Sequence, residues 1–294
     1  MAPRLLITGA SGFLGKQLLA FLTDYDVHAV TRKSTRSVTE GAEWHACDLM
    51  DSAARRSLIK TIRPSHLVHL AWVTEQDRYW SSADNLNWIA ASLMLLREFA
   101  EAGGQRVVMA GTCAEYDWAQ KSPFSESSAT APKTLYGAAK LATGGAATGF
   151  AETTSISLGW ARLFYLYGPN EHMERLVPSL VRSALRGEIP TPRTPNDIVD
   201  LMYVTDAAAA LAALLTSDVE GPINVCSGGP IRISALASQI AEQVGTDMPI
   251  VHPGAPGQTV VGDPTRLRVE VGYEGGRELS AGLGEAIEWW RSLV

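Results

Sequence analysis

Tyr136 and Lys140 stand four residues apart in LYGAAKLATGGA (135–146), a segment otherwise built from small and apolar residues. On a helix that spacing stacks the two side chains on one face. A free phenol titrates near pH 10, and a neighbouring ammonium favours its charged form. Such a pair can exchange a proton with a hydroxyl or carbonyl group near neutral pH. A third polar group, Thr112, falls in MAGTCAEYDW (109–118) at the end of an apolar run. In an open α/β sheet, the carboxyl end of a strand is where ligands bind.

Those residues need a scaffold and something to act on. TGASGFLG (8–15) places Gly9, Gly12 and Gly15 between a first apolar run and the first helical stretch. Small residues there let backbone N–H groups approach a pyrophosphate, and a helix start adds partial positive charge. The turn is therefore expected to hold a dinucleotide through Gly9, Ser11, Gly12, Phe13, Leu14 and Gly15. The second run ends VHAVTRKSTR (27–36), with Arg32 and Lys33 where an acid would hold a ribose 2′-hydroxyl. Basic residues there favour a 2′-phosphate, so NADP(H) is expected over NAD(H). Asp48 and Leu49, in ACDLMD (46–51), are expected near the adenine. Leu70 and Ala71, at the end of HLVHLA (66–71), are expected to complete the cofactor site.

The runs RLLIT (4–8), DVHAVT (26–31), HLVHLA, RVVMAG (106–111) and ISLGWARL (156–163) read as strands. Amphipathic stretches lie between them, including SAARRSLIKTI (52–62) and NWIAASLMLLREFAEAG (87–103). This alternation predicts an α/β fold, a doubly wound parallel sheet of Rossmann type. The expected division is a dinucleotide-binding domain over 1–165 and a smaller, interleaved substrate-binding cap over 166–294. Segments near 196–226 would return to the first domain. Prolines gather in PTPRTPNDIVD (190–200), which reads as an irregular excursion.

Composition excludes several classes. A net charge of −6 gives no basic face for nucleic acid. The longest apolar run, AAAALAALL (207–215), is far short of the roughly 20 residues needed to cross a bilayer. Cys47, Cys113 and Cys226 are odd in number and form no CxxC, so neither a disulfide frame nor a metal site is expected. A cytoplasmic location follows as the expectation.

GxxGxxG after the first strand, a hydroxyl residue after the fifth and then YxxxK resemble the extended branch of the short-chain dehydrogenase/reductase family. RLFYLYGPN (162–170), DLMYVTDAAAA (200–210), INVCSGGPIRISALA (223–237) and the ending LSAGLGEAIEWWR (279–291) are similar to later segments of that branch. The resemblance covers nearly the whole chain. It implies Tyr136 as proton donor or acceptor, Lys140 as its electrostatic partner and ribose contact, and Thr112 as the holder of the substrate oxygen. It further implies a homodimer built on the helices around 87–100 and 135–152, where Gly144, Gly145 and Gly149 would permit close packing.

The branch contains nucleotide-sugar epimerases, dehydratases, decarboxylases and ketoreductases. Its dehydratases carry an Asp–Glu pair directly after the hydroxyl residue, where this chain has Cys113 and Ala114. With Arg32 and Lys33, the pattern looks most like a reductase of the 4-keto group of an NDP-4-keto-6-deoxysugar. An NDP-sugar 4-epimerase retaining NAD is the alternative. A sensor or scaffold that binds NADP(H) without turnover is the alternative of another class, opposed by the intact Thr112, Tyr136 and Lys140. Arg175, Arg193, Arg232 and Arg266 are the candidate partners of a substrate diphosphate. The branch's usual arginine before the aspartate of its YVxD segment is replaced by Val199.

Overall fold

The computed structural model describes residues 2–32, 41–75, 78–246, 254 and 257–293. The strands run in chain order as β1 (Arg4–Thr8), β2 (Asp26–Thr31), β3 (Glu43–Ala46), β4 (His66–His69), β5 (Arg106–Thr112) and β6 (Ser157–Leu163). They continue with β7 (Tyr165–Tyr167), β8 (Ile198–Tyr203), β9 (Gly221–Val225), β10 (Pro230–Arg232) and β11 (Thr259–Val260). The helices are α1 (Phe13–Leu18), α2 (Ser52–Ile62), α3 (Asp84–Glu101), α4 (Leu135–Glu152) and α5 (Leu176–Leu185). After them come α6 (Val204–Thr216), α7 (Ile233–Val244), α8 (Thr265–Val269) and α9 (Leu279–Arg291).

Seven strands form one sheet in the order β3-β2-β1-β4-β5-β6-β9, every pair parallel. Burial explains the composition of its centre. β5 is buried at every position, which only a strand covered on both faces tolerates. One face packs Leu5, Ile7, Val27 and Ala29 against α1 and α6. The other packs Leu6, Val30, Leu67 and Val107 among Ile59, Leu95, Leu96 and Ala147 from α2, α3 and α4. The strand order reverses between β1 and β4, which opens a crevice at their carboxyl ends.

The later chain builds a second, four-stranded sheet on β8, with β10 antiparallel to it and β7 and β11 parallel. Helices α5, α7 and α9 cover it through Leu180, Leu236, Leu283 and Trp290. The proline-rich segment is irregular only as far as Asp197, because Ile198–Asp200 already belong to β8. The buried Asp200 carboxylate accepts hydrogen bonds from the amides of Ser227, Gly228 and Gly262 and from the Ser227 hydroxyl. One side chain thereby joins β8 to the loops after β9 and β11. Among the described residues no helix is long and apolar enough to cross a membrane.

Candidate active site

α4 begins at the cleft. Thr134 caps it, its hydroxyl accepting from the Gly137 amide at 3.1 Å. Gly137 is needed for a reason of space: a Cβ there would lie 2.4 Å from the Ala114 carbonyl oxygen. This close approach sets the first turn of α4 against the short turn after β5. Tyr136 and Thr112 are thereby brought together on one wall of the cleft. One turn further on, Lys140 is 4% exposed and donates to the Ala110 carbonyl at 2.8 Å. Its ammonium also lies 3.8 Å from the centroid of the Trp72 ring.

Burial pushes the Tyr136 phenol above its usual range, while the Thr112 hydroxyl and the Arg175 charge pull the other way. The lysine-driven phenolate expected from the sequence is therefore not what this geometry favours. Lys140 spends its charge on Ala110 and Trp72, and burial outweighs what remains. The same burial lowers the Lys140 ammonium to about 7, with Glu115 opposing the shift.

Glu115, for which the sequence offered no role, lies wholly under the site. Its carboxylate accepts from the Thr112 amide at 2.8 Å, from the Trp160 indole N–H at 3.1 Å and from Arg162 Nε at 2.8 Å. With the Thr112 hydroxyl accepting from the Ala114 amide, this forms a capping box that fixes Thr112 at the strand end. Gly111 leaves room for it, since a Cβ there would lie 2.4 Å from Trp160 Nε1 and 2.6 Å from Glu115 Oε1.

A cavity of about 740 Å³ runs from the glycine turn past these groups to β8 and the start of α5. Gly9, Gly12, Phe13, Leu14, Gly15, Leu70, Ala71, Thr112, Tyr136 and Lys140 all line it. Gly9 has φ +73, and a Cβ there would meet the Ala71 nitrogen at 2.8 Å. At Gly15 it would meet the Gly9 oxygen at 2.2 Å. No side chain caps α1, so its first-turn amides remain available beside the wall. The donors and the close approach of backbone fit a dinucleotide's pyrophosphate.

Four expected cofactor residues are not on the cavity wall. Ser11 is exposed beyond the turn, Arg32 is exposed at the end of β2, and Leu49 is buried in the core. Asp48 instead accepts from the Met50 amide at 3.0 Å, the loop-cap arrangement. Lys33 lies outside the described residues.

Of the four arginines, only Arg175 lines the cavity, its guanidinium 5.2 Å from the Tyr79 ring centroid. Arg193 is exposed and off the wall. Arg232 faces Asn196 at 3.4 Å. Arg266 donates to the carbonyls of Pro222 and Glu220 at 2.5 and 2.9 Å and to Glu270 at 2.9 Å. It therefore clamps the amino end of β9, the wrong end of a parallel strand for a ligand. Gly144 also has an internal reason: a Cβ there would lie 2.7 Å from the Trp160 ring. Gly145 and Gly149 face open space.

Sequence reasoning missed the aromatic wall. Tyr79 and Trp80 meet the Tyr136 ring edge-on, with centroids at 5.1 and 5.7 Å, and the Trp80 carbonyl accepts from the Tyr136 amide. The aromatics of AWVTEQDRYW (71–80), following a strand's carboxyl end, were the available signal. Glu171 was also missed. It lines the cavity, is 8% exposed, and has no hydrogen-bond partner for Oε2. Burial raises its carboxyl to about 8 against the opposing Arg175 charge and the Gly168 amide.

A parallel sheet in this order, a glycine turn at its switch point and a Thr–Tyr–Lys constellation beside it define a nicotinamide-dependent enzyme of the extended short-chain dehydrogenase/reductase type. The chain belongs to the NAD dependent epimerase/dehydratase family, whose profile matches residues 5–226. It is 24% identical to a probable dTDP-glucose 4,6-dehydratase of Sinorhizobium fredii, over 98% of this chain and 92% of that protein. It is 26% identical to a dTDP-4-keto-6-deoxy-D-glucose reductase of Streptomyces niveus, over 100% of this chain and 96% of that one. In fold it is similar to the UDP-glucose 4-epimerase of Thermotoga maritima solved with UDP-glucose. There the TM-score is 0.88 and the identity 23%, over 99% of each chain.

Proposed function

We propose that this enzyme reduces the 4-keto group of an NDP-4-keto-6-deoxysugar, with NADPH as its preferred cofactor. One observation carries the reading: Tyr136 stands half-buried on the cavity wall with Thr112, a phenol whose neutral form is favoured. Reduction of a ketone requires a proton donor at the oxygen, and a neutral phenol supplies one. A bound nicotinamide supplies the hydride. Thr112 is proposed to fix the substrate oxygen, held in place by Glu115 through its own amide. Lys140, on the same cavity wall, is the proposed contact for the nicotinamide ribose. The absence of a free acid pair supports reduction over dehydration, since Cys113 and Ala114 follow Thr112 and Glu115 is committed to Arg162. Arg175 is the proposed diphosphate contact, alone among the four arginines considered. Arg32, exposed at the end of β2, is the proposed contact for a 2′-phosphate. Exposed Leu86 and Met94 on α3, with the open Gly145 and Gly149 on α4, are the proposed seat of a second copy of the chain.

The second reading is an NDP-sugar 4-epimerase, favoured by the fold likeness to an epimerase solved with UDP-glucose. Incubation with NADPH and dTDP-4-keto-6-deoxyglucose decides between them. Stoichiometric NADPH oxidation, reduced by about 10²–10⁴-fold in Tyr136→Phe with cofactor binding retained, supports the reductase. Interconversion of UDP-glucose and UDP-galactose without added NADPH, and no NADPH oxidation, would replace it with the epimerase.

A further inference from the structure

Away from the cleft, three side chains converge where β2 and β3 form the edge of the large sheet. The register pairs His28 with Glu43 and Val30 with His45. Strand alternation therefore sets His28, Glu43 and His45 on one face. His28 Nδ1 lies 3.0 Å from His45 Nε2. The Glu43 carboxylate offers one oxygen to each ring, Oε2 at 3.7 Å from His28 Nδ1 and Oε1 at 3.7 Å from His45 Nε2. His28 is 7% exposed, whereas Glu43 reaches solvent. The outer nitrogen of His28, Nε2, is buried without a hydrogen bond, and Asp26 Oδ2 stands 3.5 Å from it.

We propose that His28 Nδ1, His45 Nε2 and the Glu43 carboxylate form a site for one divalent transition cation of the zinc type. Two imidazoles and a carboxylate are a donor set of suitable hardness for such an ion. Tetrahedral coordination with bonds of about 2.0–2.2 Å separates ligand atoms by roughly 3.3–3.5 Å. Here the two nitrogens stand 3.0 Å apart, and each has one of the two carboxylate oxygens at 3.7 Å. Shifts of a few tenths of an ångström by an exposed carboxylate and a partly exposed ring complete the set.

The proton balance is met within the cluster. Both facing nitrogens must present lone pairs to the ion, so the proton between them moves to an outer ring nitrogen. His28 Nε2 is suited to carry it, because the Asp26 carboxylate stabilises an N–H there, as outer carboxylates do for metal-bound histidines. An ion so placed would tie the edge strand β3 to β2. Among the described strands, β3 pairs with β2 in the large sheet.

The test uses the full chain, stripped with a chelator and dialysed. It is titrated with Zn²⁺ by calorimetry and with Co²⁺ by visible absorption. The expected result is one equivalent bound, with a visible Co²⁺ band of low symmetry. His45→Gln should abolish binding, and Glu43→Gln should weaken it at least tenfold. Asp26→Asn should weaken it by roughly 10–100-fold through the outer carboxylate. Glu43 is exposed, so its variant keeps the fold and separates loss of a ligand from loss of structure. No saturable binding at millimolar metal would overturn the site. So would one-equivalent binding that survives in the Glu43→Gln, His45→Gln double variant.

Discussion

The Lys140 ammonium sits 3.8 Å above the Trp72 indole while donating to the Ala110 carbonyl, so a buried cation is held by a ring face and a single hydrogen bond. Trp72 is itself fixed by its indole N–H donating to Asn85 at 2.8 Å and by stacking on Trp88. The wall of the cleft and the charge it faces are thus one packed unit. Burial lowers Lys140 to about 7, against about 10.4 in an unfolded chain. The unfolded state binds more protons between those values, so stability rises with pH across that window. The uncompensated cost is fully present below pH 7.

Lys140→Met should therefore raise Tm at pH 6, by an amount that shrinks as pH rises from 7 to 10. The cation–π contact with Trp72 offsets part of the gain. Turnover should be lost at every pH. Thermal melts of both proteins across the series check the trend; a constant difference in Tm would contradict it.

Glu171 carries the opposite sign. Its carboxyl is raised by burial to about 8, so the folded state holds a proton that the unfolded chain releases near pH 4.5. Stability from this position is present below that value and declines as pH rises through 8. Glu171→Gln should match the parent at pH 4.5 and exceed it at pH 9. A shared pH profile in chemical unfolding would show that the carboxyl does not titrate there.

Glu115 and Arg162 form a buried ion pair at 2.8 Å, with side chains 1% and 8% exposed. Removing one partner strands the other charge, a loss of about 3–5 kcal/mol. Glu115→Gln should lower Tm on the order of 10 °C. It should also reduce kcat more than cofactor affinity, because the Thr112 amide loses its charged acceptor. Adding Arg162→Met should recover part of the stability without recovering kcat. Additive losses in the double variant would argue against direct coupling.

The proposed preference for NADPH makes Arg32 the contact for the 2′-phosphate. Arg32→Asp should swing the ratio of kcat/KM for NADPH over NADH towards NADH by tenfold or more, because a carboxylate accepts from ribose hydroxyls and repels a 2′-phosphate. An unchanged ratio would place the discriminating contact elsewhere.

Much of the framework was legible in the chain. The boundaries of RLLIT and DVHAVT coincide with β1 and β2, and SAARRSLIKTI with α2. Parallel strands buried on both faces leave continuous apolar runs, and helices between them leave a 3.6-residue period. β7, β10 and β11 were not legible, being two or three residues long. So short a segment has no period to detect, and its pairing is set by distant partners.

The pairing of Tyr136 with Lys140 was likewise read from local spacing, since a four-residue interval on a helix defines a shared face whatever surrounds it, and Thr112 from its place at a strand's carboxyl end. Their electrostatics were not. Whether Lys140 turns towards Tyr136 or towards Trp72, and whether Glu115 is a free acid or a buried clamp, depends on groups brought in from other strands. Of four arginines with equal claims in sequence, packing left one at the cleft and drew Arg266 to the amino end of β9. Periodicity and turn chemistry are written locally; burial, and with it the charge state of each group, is settled only when remote segments exclude water together.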